Sequence, residues 1–363
     1  MASFHDEVRR VSPLRGNGRH AVDTVAARVP ILPGHIDAES IPMPRRKRSP
    51  GTEPASLSDL QVRAAWLYYV GELTQLQISR VMKTSRAKVI RLLSGAREAG
   101  IVRIEIEAKG SEQIALEREV AARFGLSEVV VVPAPADDAG VAAVVGHATG
   151  TYLAAHAEDG MSIGVGWGVT LSMSLKAIGA KPLERLSVVS LLGGMTHSRA
   201  INPSAVSRRI ADAFGADCYQ LTAPVFVANE NIRNTLWTEP GLRDLRERAR
   251  RIDLALVSVG DVSDEATLFR EGLLPRSQVS SLLKAGAVGE VLCHFIDEDG
   301  RVVDHPINRR SIAIDFKDIS RVPKIVIAAG GRRKVAAIRA AFKAMKANVL
   351  ITDAGAARGL LDL

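Results

Sequence analysis

From residue 128 onward, short apolar runs alternate with longer stretches of helical spacing. No other feature of the chain restricts its fold as much. The runs cover residues 129–132, 162–165, 186–192, 253–259, 291–296, 324–329 and 349–352. Residues 141–156, 204–214, 278–285 and 334–346 fall between them, with apolar positions recurring at helical intervals. Strands buried on both faces read as continuous apolar runs rather than as alternating ones. Strand and helix in repetition therefore predict an α/β fold with a largely parallel, doubly wound sheet. Aromatic residues are only 4% of the chain against 47% hydrophobic residues in all, so Leu, Val, Ile and Ala must fill its core.

The front of the chain reads differently. Seven prolines interrupt residues 1–56, and Arg45, Arg46, Lys47 and Arg48 form a basic cluster. Such a stretch is expected to be a flexible extension, either a loose tail or an arm that touches phosphates. Residues 57–110 are expected to form a small helical domain. Leu60, Ala64, Leu67 and Tyr68 share one helical face. Thr74 with Gln77 makes a capping box for a second helix carrying Leu76, Ile78, Val81 and Met82. Lys83 and Thr84 turn the chain, Ser85 caps a third helix running to about Ala99, and Gly100 ends it. Residues 101–106 alternate like a short strand, and 107–127 read as a helical connector.

Three short helices with a tight turn before the third fit a helix-turn-helix, whose last helix enters the major groove of duplex DNA. Val89 and Leu93 are expected to face the core and meet Ile78 and Val81. Arg86, Lys88, Ile90 and Arg91 are left to project outward, and Thr84 and Ser85 lie at the helix start. Arginine reads guanine with two hydrogen bonds, whereas Lys88 and Ser85 suit phosphate or base contacts. Charge supports this reading. The net charge is +8, and the cation excess is three in residues 1–56, four in 57–110 and one in the rest of the chain. A basic front on a neutral body points to a polyanionic partner. The alternative is a helical hairpin with a solvated basic face.

Other classes are disfavoured. Cys218 and Cys293 have neither disulfide-scaffold nor zinc spacing. His147, His156, His294 and His305 lack metal-ligand spacing, and no cofactor or metal is expected. No apolar run is long enough for a membrane span, no secretory leader is evident, and a cytoplasmic location is expected. There is no nucleophile elbow or paired catalytic motif.

Residues 111–363 are expected to hold the ligand. In open parallel sheets, ligands bind beyond the carboxyl ends of the strands. Four glycine loops sit at such ends: Gly164 to Thr170, including Gly166, Trp167 and Gly168; Gly193-Gly194, followed by His197, Arg199 and Asn202; Gly260-Asp261; and Gly330-Gly331, followed by Arg332, Arg333 and Lys334. Glycines there let backbone N–H groups approach an anion, and Lys334 at a helix start suits a phosphate. The same glycines also serve tight turns, and solvated cations are the plainer alternative. Four loops on one edge predict a polar pocket.

These residues carry a resemblance. Leu73-Thr74-Gln75 through Ser85-Arg86, Arg91-Leu92-Leu93 and Ala96 to Val102 resemble the helix-turn-helix of the SorC family of sugar-responsive bacterial regulators. The Gly164–Leu171 loop, Leu192-Gly193-Gly194, Gly286 to Gly289, Pro306-Ile307-Asn308, Ala329-Gly330-Gly331 with Lys334, and Val349 to Asp353 are similar to further segments of that family. The resemblance implies a sensing domain similar to phosphosugar isomerases and deaminases. It also implies a homotetramer or homodimer, operator DNA as partner, and control by a sugar, polyol or sugar phosphate without turnover. It carries Gly166, Gly168, Thr170, Glu290 and Lys334 over as ligand positions, with the Glu290 carboxylate accepting from sugar hydroxyls. Trp167 stands where the family has a small residue or an aromatic. Residues 1–56 have no counterpart. Two other readings stay open: an isomerase or deaminase-like enzyme using Asp261, Glu290 or His197 as acid or base, and a DNA-binding scaffold with a vestigial pocket.

Overall fold

The computed structural model describes residues 56–102, 110–195 and 201–362. All but Ser56 of the extension expected over 1–56, most of the expected strand over 101–106, and the candidates His197 and Arg199 lie outside the described residues. The chain divides into two compact units between residues 103 and 104.

The first unit is built from α1 (Leu57–Tyr69), α2 (Gln75–Val81) and α3 (Arg86–Glu98). Each starts on a side-chain cap. The Ser56 hydroxyl accepts from the Asp59 N–H, and that of Thr74 from the Gln77 N–H, each answered by the partner side chain. Ser85 Oγ accepts from the Lys88 N–H at 3.2 Å. Such caps satisfy N–H groups that a helix start leaves without partners. Helices this short are held mainly by packing. Ala64, Ala65 and Leu67 of α1, Ile78 of α2, and Val89, Leu92, Leu93 and Ala96 of α3 form one buried cluster. Val81 does not join it, contrary to the sequence expectation, and is 40% exposed. A two-turn helix turns only one narrow stripe inward, and Ile78 and Ser79 occupy it. Tyr68 also faces outward, edge-on against Tyr69.

The second unit contains β1 (Glu128–Val132), β2 (Ser162–Val165), β3 (Ser187–Ser190), β4 (Asp217–Tyr219), β5 (Leu254–Val257), β6 (Val259–Asp261), β7 (Gly289–Val291), β8 (His294–Ile296), β9 (Lys324–Ala328) and β10 (Val349–Asp353). Seven of them form one sheet in the order β1-β10-β9-β5-β2-β3-β4, and every pairing in it is parallel. Alternate residues serve opposite faces. Leu254 and Leu256 of β5, with Val326 and Ala328 of β9, pack toward the helices Asp138–His156 and Pro203–Phe214. Ala255 and Val257, with Ile325 and Ile327, pack toward the helices Val335–Met345 and Pro240–Ala249. This is the expected doubly wound sheet.

Two sequence expectations change. The run 253–259 is not one strand: it breaks after Val257, and β6 leaves for a separate antiparallel sheet ordered β6-β7-β8. The run 291–296 is a hairpin, in which β7 and β8 are joined by Leu292 and Cys293 at φ +51° and +58°. The helical connector expected over 107–127 holds the helix Ser111–Phe124, which buries Leu116 and Val120 in the core beside β1.

The chain runs outward from β2 through β3 to β4, returns to β5 on the other side of β2, and continues through β9 to β10. The order therefore reverses between β2 and β5. In such sheets a crevice opens at that point beyond the carboxyl ends of the strands.

Candidate functional site

Because the seven strands run parallel, the glycine loops after β2, β3, β5 and β9 all lie beyond the same rim of the sheet. The loops after β2 and β5 flank the reversal. They are joined there, since Ser258 Oγ donates to the Trp167 carbonyl at 2.5 Å. Gly168, at φ +117°, starts the short helix Val169–Ser174, and Thr170 is buried in its first turn. A Cβ at Gly168 would come within 2.7 Å of Ser258 Oγ, so only glycine fits both the backbone angle and that approach. The Gly166 N–H extends the sheet by donating to the Leu256 carbonyl.

Glu290 enters from the second sheet. In the β6–β7 register Glu290 lies opposite Gly260, and Asp261 opposite Gly289. A Cβ at Gly260 would sit 2.7 Å from Glu290 Oε1, so the missing side chain is what admits the carboxyl. Glu290 is 6% exposed, and its Oε2 accepts from the Cys293 N–H at 3.0 Å. That bond holds the left-handed turn at Leu292 and Cys293. Two non-glycine residues in that region are uncommon and mark a turn held by its surroundings. Burial pushes the Glu290 carboxyl up to about 7, and the neighbouring Asp261 adds to the rise. The Cys293 N–H and the Lys334 ammonium oppose it.

Lys334 comes from the rim beyond β9, as the last residue of a single 3₁₀ turn that leads into the helix Val335–Met345. Burial lowers its pKa, while Asp261 and Glu290 favour its charged form. Gly331 in this loop has φ +91°, and its N–H donates to Asp353 Oδ1 at 2.6 Å. Asp353 ends β10 and caps the last helix, Ala354–Leu361. The loop is thus pinned to the neighbouring strand end, and Gly330 lies against the same carboxylate.

The structure therefore gathers Trp167, Gly168, Asp261, Glu290 and Lys334 at the reversal. Asp261 Oδ2 accepts from Ser263 Oγ. Trp167 is buried, with its indole Nε1 lacking a hydrogen-bond partner. Chemically the cluster offers one cation, one carboxylate, one carboxyl poised near neutrality and an indole donor. This set can hold hydroxyls and an anionic group. Gly193 and Gly194 sit on the same rim beyond β3, but their N–H groups donate internally to Ile312 and Ala223. Asn202 caps the helix Pro203–Phe214. Ser258, which ties two loops together, was not among the residues singled out from sequence; an isolated serine in an apolar run gives no signal.

In the first unit, Arg86, Lys88, Ile90 and Arg91 project from the exposed side of α3 as expected. Arg86 Nε donates to Gln75 Oε1 at 3.4 Å, and the Ser85 hydroxyl is engaged as the cap. Thr84 is half-buried, with its N–H donating to the Ser79 carbonyl. Ala87, not singled out from sequence, is exposed near the centre of this face.

Among the described residues, no group of three or more His, Cys, Asp or Glu could hold a metal ion. No described helix is long and apolar enough to cross a membrane.

Residues 109–362 match the Sugar-bind family model, a sugar-binding domain. The chain is 33% identical over 305 residues to the deoxyribonucleoside regulator of Bacillus subtilis, covering 84% of this chain and 97% of that protein. It is also 33% identical over 306 residues to the erythritol catabolism regulatory protein EryD of Brucella abortus, covering 83% and 96%. Its fold is similar to that of the full-length sorbitol operon regulator SorC from Klebsiella pneumoniae, with a TM-score of 0.63 at 24% identity over 84% of this chain and 99% of that one.

Proposed function

This chain belongs to the SorC family of sugar-binding transcriptional regulators, and from that membership we propose that it controls a carbohydrate operon by binding operator DNA through α1–α3. A sugar, polyol or sugar phosphate entering the second unit changes its affinity for the operator. The observation that carries this reading is the convergence of Trp167, Asp261, Glu290 and Lys334 at the sheet reversal, in a chain whose other unit presents an exposed cationic helix.

In this reading residues 57–110 form the reader and 111–363 the sensor, which also carries the oligomer contacts of a homotetramer or homodimer. Lys334 takes the anionic or most electron-rich end of the effector. Asp261 and Glu290 take hydroxyls, with Gly166, Gly168, Thr170, Gly193, Gly194, Gly330 and Gly331 shaping the mouth. The protein works in the cytoplasm and without a cofactor. The effector acts by binding one conformational state better than the other, which is the only way a ligand shifts such an equilibrium.

The test is a thermal-shift screen of the full-length protein with sugars, polyols and sugar phosphates, followed by DNA titrations with any hit. A ligand that binds only the folded state must raise its stability. Lys334→Met is expected to abolish the shift and leave DNA affinity without effector intact; Arg91→Ala is expected to do the reverse. No response to any compound of these classes would refute the reading. One observation favours a second reading: a carboxyl near 7 beside a lysine is matched to acid–base chemistry at neutral pH. Turnover of a bound phosphosugar would establish it.

A further inference from the structure

The exposed arc of α3 is ordered in a way that bears on what it reads. At about 100° per residue, buried Val89, Leu92, Leu93 and Ala96 occupy one side of the helix. Going around the opposite side, Arg86 and Arg97 come first, then Ile90, Ser94, Ala87 and Glu98, then Arg91 and Lys88. Two cationic edges thus border a centre that is small and apolar except in the last turn, where Glu98 lies on it and accepts from Ser94 Oγ. In the helix's first two turns that centre is Ile90 and Ala87. Ile90 is 46% exposed, although it stands in a helix whose other large aliphatic residues are buried. No described contact of the unit covers it: the core cluster and its partly buried neighbours leave Ile90 out.

In a major groove, phosphates lie along both walls and base edges form the floor. The floor has one apolar feature, the C5-methyl of thymine, and aliphatic side chains recognise it by contact. Cations at both edges and aliphatic groups between them match that arrangement. Arg86 is steadied at its edge by the bond to Gln75 at the start of α2.

We propose that Ile90, with Ala87 beside it, reads a thymine methyl group in the operator half-site, while Arg86 and Lys88 contact the flanking phosphates. This rests on the reading of α3 as the DNA-contacting helix, and it assigns the base that the helix centre selects.

The experiment starts with duplexes selected from a random pool by the full-length protein. Each thymine of the selected half-site is then replaced by uracil, which removes only the methyl group. Wild type is expected to lose about fourfold in affinity at one position, the change that ~0.8 kcal/mol per buried methyl-sized group gives. Ile90→Ala is expected to bind thymine and uracil duplexes equally at that position while still discriminating at others, which isolates the pairwise coupling. Unchanged thermal unfolding would establish that the variant is folded, and the conservative Ile90→Val is expected to retain most of the discrimination. If wild type is indifferent to uracil at every position, or if Ile90→Ala discriminates as wild type does, the assignment is overturned while DNA binding stands. If selection recovers no duplex at all, the DNA reading of α3 falls with it.

Discussion

Glu290→Gln should remove a pH-dependent cost from the folded state. The Glu290 carboxyl is almost fully buried, and burial lifts it from an ordinary value of 4.5 to about 7. For a group raised on folding, the stabilising contribution is fully present below the unfolded value and is lost as pH rises through the folded one. The window is therefore pH 4.5 to about 7, with stability falling as pH rises. A displacement of this size, at ~1.4 kcal/mol for each tenfold change in proton affinity, means that ionised Glu290 costs the folded chain roughly 3 kcal/mol by about pH 8. Glutamine cannot ionise, and its carbonyl can still accept from the Cys293 N–H, so the variant lacks this slope. Groups away from this cluster titrate alike in both proteins and cancel in the difference.

The measurement is urea unfolding at half-unit steps from about pH 5 to 8.5, at one protein concentration because subunit association shifts apparent stability. Tryptophan fluorescence in a Trp66→Phe background reports only Trp167 and Trp237, both in the second unit. The unfolding free energy of Glu290→Gln relative to wild type should rise by roughly 2.5 kcal/mol between about pH 5 and pH 8. Parallel curves over that range would refute the reasoning, because they would mean that the carboxyl is not desolvated in the folded chain.

Two further outcomes follow from the geometry. Arg86→Ala and Lys88→Ala should each reduce the salt dependence of DNA binding by about one phosphate contact, measured as the slope of log affinity against log salt; an unchanged slope would put that side chain away from the phosphates. Gly168→Ala combines an unfavourable φ with a close approach to Ser258 Oγ, so it should lower stability by more than about 1 kcal/mol, seen as a lower melting temperature. An unaltered melting curve would mean that the loop relaxes freely.

Much of this architecture was legible in the residues. Ser85, and Thr74 with Gln77, announce helix starts because a short polar side chain before an apolar helical pattern has one good use there. The strands of the parallel sheet are legible because both faces are covered, which leaves runs such as residues 324–329 almost wholly apolar. The three-stranded sheet was not. Its strands have three residues each, too few to establish a period. Its hairpin turn is Leu292-Cys293, without the Asn-Gly or Asp-Gly signal that such a turn normally carries. The meeting of Glu290 with Gly260 therefore depends on a register that composition does not encode locally. Val81 failed for a different reason. Its spacing suits an inward face, but a seven-residue helix has too little surface to use it.

The position of β10 has a consequence for how the chain matures. This strand, near the end of the sequence, lies between β1 and β9. As the polypeptide leaves the ribosome, β1 emerges before β10 and waits for this neighbour until β2 to β9 have been made. During that interval β1 and β9 both present open ladder edges, the kind of surface that recruits other nascent chains. A message cut short before Val349 would leave both strands without their shared partner, and would also remove Asp353, which fastens Gly331. The mouth beside Lys334 is thus completed only once β10 has been made, so a product truncated before that strand would lack the fastening that shapes its sensor.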